Sequence, residues 1–146
     1  MTTLSSHLTT LPLLPPTARS RVYRRIVNHL TNHISQRAVY AGWSKFSQVG
    51  GQDFASEVKD WINTSSELDL PGTATAEAPW RVLKEAGMIL SLPNDAEGDE
   101  PTFGQAMAVA WSDSEEGLRA WRERTGLIMG REEMKGLLRR RTECWR

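Results

Sequence analysis

Two histidines four residues apart, His29 and His33, have the spacing of a chemical site. On a helix that interval puts both imidazoles on one face, where they could hold a divalent metal. A working site needs a third ligand, and residues 1–52 contain no Asp or Glu. The remaining histidine, His7, lies upstream among leucines and prolines. Histidines at the border of an apolar arc account for the pair without a metal. Asp53, Glu57 and Asp60 form a second cluster with helical spacing. General acid–base chemistry would need surroundings that push their pKa values apart, and Lys59 among them points instead to a solvated face. Cys144, beside Trp145 and Arg146, is a lone thiol that basic neighbours would activate, although a fraying terminus explains its setting equally well.

No glycine-rich phosphate loop, nucleophile elbow or cysteine-based metal pattern occurs. No enzyme is expected, nor a cofactor, a metal or a small-molecule substrate. With 146 residues the chain fits one domain able to bury a core without a metal or disulfide. The single cysteine excludes an intrachain disulfide and points to a reducing interior, cytoplasmic or nuclear. Mitochondrial import is the alternative, because residues 1–52 are acid-free and rich in Ser, Thr and Arg. Six tryptophans (Trp43, Trp61, Trp80, Trp111, Trp121 and Trp145) offer large apolar areas for a core or a contact surface.

The formal net charge of zero hides a separation along the chain. Residues 1–52 carry a net +6, residues 53–123 a net −10 and residues 124–146 a net +4. Either the three blocks attract one another within the fold, or a basic face meets an anionic partner through steering that salt weakens.

The elements that would position these groups follow from hydrophobic periodicity. Residues 1–16, with Pro12, Pro15 and Pro16, read as an extended arm whose Leu11, Leu13 and Leu14 pack on the domain. From Thr17, a candidate N-cap, Val22, Tyr23, Ile26, Val27, Leu30 and Ile34 mark an amphipathic helix. A second helix is expected near residues 38–46, stopping before Gly50 and Gly51. A third has Phe54, Val58, Trp61 and Ile62 on one stripe. Residues 63–75, with Pro71-Gly72, read as a loop. Thr75 then caps a helix through Trp80, Val82, Leu83 and Ala86 that Gly87 would stop.

Residues 88–92 form a short apolar run suited to a strand, and residues 93–101 an acidic turn. The segment Phe103–Trp111 is ambiguous. Phe103, Met107, Val109 and Trp111 alternate with small residues as a strand would, while Phe103, Ala106, Met107, Ala110 and Trp111 fit a helix. The strand is preferred, since residues 88–92 need a partner. Ser112 and Glu115 have capping-box spacing before a helix with Leu118 and Trp121 that ends at Gly126. A last helix is expected over residues 131–141, with Glu132 and Glu133 at its front and Arg139, Arg140 and Arg141 at its back, as the helix dipole favours. Met134, Leu137, Leu138 and Arg141 share a face of it.

Three helices, a loop, a helix, a strand, a turn and a return strand make the order of a winged helix. The expected class is therefore α+β and mostly helical: an arm (1–16), a winged-helix-like domain with a two-stranded wing (17–111), and a C-terminal helical extension (112–146). An all-α bundle is the alternative. Within this order Asp53-Phe54-Ala55-Ser56-Glu57-Val58-Lys59-Asp60-Trp61-Ile62 resembles the signature helix of DEP domains, small winged-helix modules. Leu83-Lys84-Glu85-Ala86-Gly87-Met88-Ile89 is similar to the helix-to-strand junction of the same family. The resemblance covers residues 20–111 and implies recruitment to membranes or membrane proteins.

Winged helices often read DNA, but here the reading helix would carry Glu77 and Glu85 against Arg81 and Lys84. The wing would present Asp95, Glu97, Asp99 and Glu100, which opposes phosphate contact. The expected function is a non-enzymatic adaptor that docks another protein or a second copy through Met134, Leu137, Leu138 and Trp145; that this stripe closes the domain's own core is an equally weighted alternative. The alternative is backbone-directed binding of nucleic acid or an anionic membrane through Arg19, Arg21, Arg24 and Arg25 with Arg139, Arg140 and Arg141.

Overall fold

Where Pro15 and Pro16 end, the first helix begins. Proline at the first helical position loses no hydrogen bond there and presets the helical φ, so α1 spans Pro16–Ile34, one residue before the expected Thr17 cap. The structure is a computed structural model that describes residues 15–42, 45–68, 76–95 and 97–145, Trp145 by its backbone alone. The arm up to residue 14, Trp43, Thr75 and the Pro71-Gly72 turn lie outside the described residues.

α1 widens directly into a π-helical turn, Ser35–Tyr40; the helix expected near residues 38–46 is this continuation, and Phe46 lies beyond it in extended backbone. α2 covers Gln48–Ser66, with the Ser47 hydroxyl accepting from the Gly50 N–H at 3.1 Å. Gly50 and Gly51 thus sit in its first turn rather than ending the element before it. Its last turn takes in Asn63, Thr64, Ser65 and Ser66, whose sequence reads as loop.

A 3-10 turn, Ala78–Trp80, leads into α3, Arg81–Ser91. α4 spans Phe103–Trp111 behind a capping box, in which Gln105 N donates to Thr102 Oγ1 (3.2 Å) and Thr102 N to Gln105 Oε1 (3.3 Å). α5 covers Glu115–Thr125, capped by Ser114 rather than Ser112, and stops at Gly126, whose φ of 73° suits glycine. α6 covers Arg131–Leu138, three residues shorter than expected, and a 3-10 turn, Thr142–Trp145, follows.

The expected two-stranded wing is therefore a correction. The described residues contain six α-helices and no strand, and their one extended pairing is an isolated parallel bridge between Phe46 and Arg141. The winged-helix architecture and the DEP-like reading fall with it; the described residues form an all-helical bundle. Gly87 and the burial pattern of α4 explain the difference. Gly87 does not stop a helix: it lies buried inside α3, where a β-carbon would come within 3.1 Å of Ala55 Cα. It lets two helices close on each other, and Met88, Ile89 and Leu90 simply continue α3. In α4, burial has helical spacing at three of the five positions of the helical set. Phe103, Ala106 and Ala110 are inside, while Met107 and Val109 are half-buried and Trp111 is exposed.

α2 and α3 form the central antiparallel pair: Gly51 faces Leu90, Ala55 faces Gly87, and the Trp61 and Trp80 rings meet at 5.9 Å. α6 packs against α3 and α4, α5 against α4, and α1 against the 3-10 turn Ala78–Trp80. Trp80, Leu83, Ile89, Leu90, Met134 and Leu138 belong to one continuous core, so the C-terminal helices complete the same hydrophobic unit. No helix among the described residues is long and apolar enough to cross a membrane.

Candidate anion-binding face on the first helix

Three residues four apart, Tyr23, Val27 and Thr31, anchor α1 to the body of the protein and are buried. The Tyr23 hydroxyl donates to the Ala76 carbonyl (2.7 Å) and accepts from the Trp80 indole N–H (3.0 Å). Thr31 Oγ1 donates to the Pro79 carbonyl at 3.2 Å. A buried hydroxyl and indole each need a partner, and these bonds satisfy them while fixing the rotation of α1.

That rotation decides what faces outward. Arg21, Arg24 and Arg25 are exposed, and Arg19 is half-buried. At 100° per residue the three exposed arginines occupy one arc of about 100°. Among the described residues none of the three makes an ion pair or a side-chain hydrogen bond. Beside them runs a half-buried apolar stripe, Val22, Ile26 and Leu30, again four apart. With Arg25 and His29 it lines a groove of about 410 Å³. The face thus combines uncompensated positive charge with an open apolar strip.

The C-terminal arginines do not join this face. Arg141 is fully buried, and all five of its N–H donors are used. Nη1 donates to the carbonyls of Leu90 (2.9 Å) and Leu92 (2.8 Å). Nη2 donates to Asn94 Oδ1 and Glu143 Oε1, and Nε to Glu143 Oε2, each at 3.0 Å. Its guanidinium lies 4.8 Å from the centre of the Phe103 ring. These hydrogen bonds to Arg141 hold the Glu143 carboxyl down at about 2. Arg141 is a structural clamp rather than an anion ligand, since no donor is left for one. Arg140 is buried, and Arg139 places its guanidinium over the exposed Trp111 ring, 5.6 Å from the centroid. Of the seven arginines proposed for an anion, the structure gathers Arg21, Arg24 and Arg25 on one exposed surface.

The docking stripe expected on the last helix is equally clear. Met134, Leu137 and Leu138 are 1%, 1% and 0% exposed inside the common core. They close their own domain and present no surface. Trp145 ends the terminal 3-10 turn, and its side chain lies outside the described part.

The remaining candidates are scattered. His29 and His33 are both exposed on α1, and among the described residues no three His, Cys, Asp or Glu side chains come together as a metal set. Asp53, Glu57 and Asp60 all point to solvent from α2. Cys144 is half-buried with its sulfur 4.0 Å from that of Met107.

The clamp left one trace in the sequence: Arg141 shares the helical face of Met134, Leu137 and Leu138, so a long polar side chain continues an inward stripe. No protein-family model matches the chain, nor does any curated protein or solved structure.

Proposed function

We propose that this protein is a non-enzymatic interaction module that docks an acidic, amphipathic segment of a partner protein on the outer face of α1. The observation that carries this reading is the juxtaposition of Arg21, Arg24 and Arg25, without ion pairs among the described residues, with the open stripe Val22, Ile26 and Leu30. A helix laid in the groove would bury apolar residues at intervals of three and four and turn its carboxylates toward the arginines. Each half supplies something different: apolar burial gives affinity, and charge gives orientation and on-rate.

A second reading, contact with nucleic acid or an anionic membrane, draws on the same acid-free basic surface. Phosphate contact with nucleic acid leaves the apolar stripe unused, which favours the protein partner over that ligand.

A fluorescent peptide with leucines at helical spacing and glutamates between them tests the proposal by anisotropy. Changing Arg21, Arg24 and Arg25 together to Ala should weaken binding at least tenfold. Replacing either the leucines by Ser or the glutamates by Gln in the peptide should do the same. Equal retention of the leucine-to-serine peptide would overturn the amphipathic part. Equal binding by the triple variant would overturn the site.

A further inference from the structure

A second concave surface runs along the central helix pair. α2 and α3 are pressed together where Gly51 meets the Leu90 carbonyl, so closely that a β-carbon on Gly51 would stand 1.8 Å from that oxygen. Gly87 against Ala55 makes the next contact. Along the outward edge of this seam the side chains no longer fill the space between the helices. Ala55, Val58, Ile62 and the exposed Met88 floor a trough of about 310 Å³. That is the lower end of the size range of small-ligand sites, which are mostly apolar with a few convergent polar groups.

The polar groups here carry a definite sign. Residues 53–123 are strongly acidic and hold only two lysines, Lys59 and Lys84. Both line this trough, one from each wall. Lys84 pairs with Glu77 at 3.1 Å, but both side chains are about half exposed (55% and 51%), so the pair is weak and exchangeable. Lys59 makes no ion pair among the described residues. Among the described lining residues two lysines stand against one glutamate, a net positive charge above an apolar floor.

We infer that the α2–α3 trough binds a small amphipathic monoanion, an apolar body bearing one carboxylate that lies between Lys59 and Lys84. The apolar body displaces water chiefly from the exposed Met88 and the half-buried Ala55, above the buried Val58 and Ile62. The carboxylate takes the charge of Lys59 and shares Lys84 with Glu77. A polyphosphate does not suit the site, because one net charge cannot compensate several. This inference is independent of the α1 docking face.

Octanoate is the probe, followed by calorimetry and by the methyl resonance of Met88, with octanol and acetate as controls. Saturable one-to-one binding of octanoate in the millimolar range or tighter is expected, with a shift of the Met88 methyl signal. Octanol should bind at least fivefold more weakly, and acetate not measurably. Lys59→Glu, at an exposed position, should weaken octanoate at least tenfold and leave octanol unchanged. The triple Arg21, Arg24 and Arg25 to Ala variant should bind octanoate as the parent does. Absence of saturation, an unmoved Met88 signal, equal affinity for octanol, or an unaffected Lys59→Glu variant would each overturn the inference.

Discussion

Arg141 and Glu143, two residues apart, form an ion pair in which the carboxylate accepts from both Nε and Nη2 of the guanidinium. The other Arg141 donors bind the Leu90 and Leu92 carbonyls and Asn94. The pair therefore ties the C-terminus to the end of α3. Extended backbone before α2 joins the same junction: Phe46 N donates to the Arg140 carbonyl (2.7 Å) and Thr142 N to the Phe46 carbonyl (2.9 Å).

Replacing Arg141 by Ala strands two carbonyls and a carboxylate where the guanidinium had satisfied them. Breaking one side of a buried pair costs about 3–5 kcal/mol. Urea denaturation should show a loss of that size, and Arg141→Lys should recover little of it, because an ammonium cannot supply a planar fork of five donors. A loss below about 1 kcal/mol, the range of exposed ion pairs, would show that the clamp does not hold the fold.

The Glu143 carboxyl gives the clamp a pH dependence. Its pKa falls from an ordinary 4.5 to about 2 on folding, through hydrogen bonds from Arg141. A depressed folded value stabilises above the unfolded pKa and is lost as pH falls through the folded one. At 1.36 kcal/mol per unit the full shift is on the order of 3 kcal/mol, which solvent screening at the partly exposed carboxylate reduces. Stability should be level above pH ~5 and decline toward pH ~2. Glu143→Gln should lower stability at neutral pH and flatten that acid limb; an unchanged limb would contradict the assignment.

Gly51 and Gly104 should respond to alanine in opposite directions. A β-carbon at Gly51 meets the Leu90 carbonyl at 1.8 Å, so the α2–α3 pair must move apart. Overpacking of this kind costs about 1–3 kcal/mol. At Gly104, in the first turn of α4, a β-carbon would have nothing within 4 Å, and alanine there should stabilise by up to about 1 kcal/mol. Thermal melts of the two variants give the comparison directly.

Tyr23→Phe removes one oxygen and leaves both the Trp80 N–H and the Ala76 carbonyl without their partner. Each buried unsatisfied group costs about 1–3 kcal/mol. With two groups stranded the variant should lose about 2–6 kcal/mol, with a change in Trp80 fluorescence. An unaltered melting curve would show that the relay does not fix α1.

What is legible in the sequence is what depends on local period. The stripe of α1, the Phe54–Ile62 face of α2 and the stop of α5 at Gly126 are all present as read. What fails depends on neighbours distant in the chain. Gly87 looks like a stop signal until Ala55 is seen against it, and only then is its missing side chain a packing device. The alternation of Met107, Val109 and Trp111 is real, but Ala106 and Ala110 are small enough to bury a helix instead, and Thr102 with Gln105 caps it.

The candidate sites divide along the same line. Arg21, Arg24 and Arg25 are found where periodicity puts them, facing out from α1. Met134, Leu137 and Leu138 share a face as read, but whether such a face meets solvent or core depends on helices that sequence spacing does not place. The destiny of Arg141 depends on the carbonyls of Leu90 and Leu92, some 50 residues upstream.

The docking claim for α1 is tested most directly by mapping backbone amide shifts while titrating the labelled protein with the acidic leucine-spaced peptide. The account predicts saturating changes along Val22, Arg25, Ile26, His29 and Leu30, weakened by added salt. Changes centred on α6 or on the acidic segment before α4, with α1 silent, would contradict it.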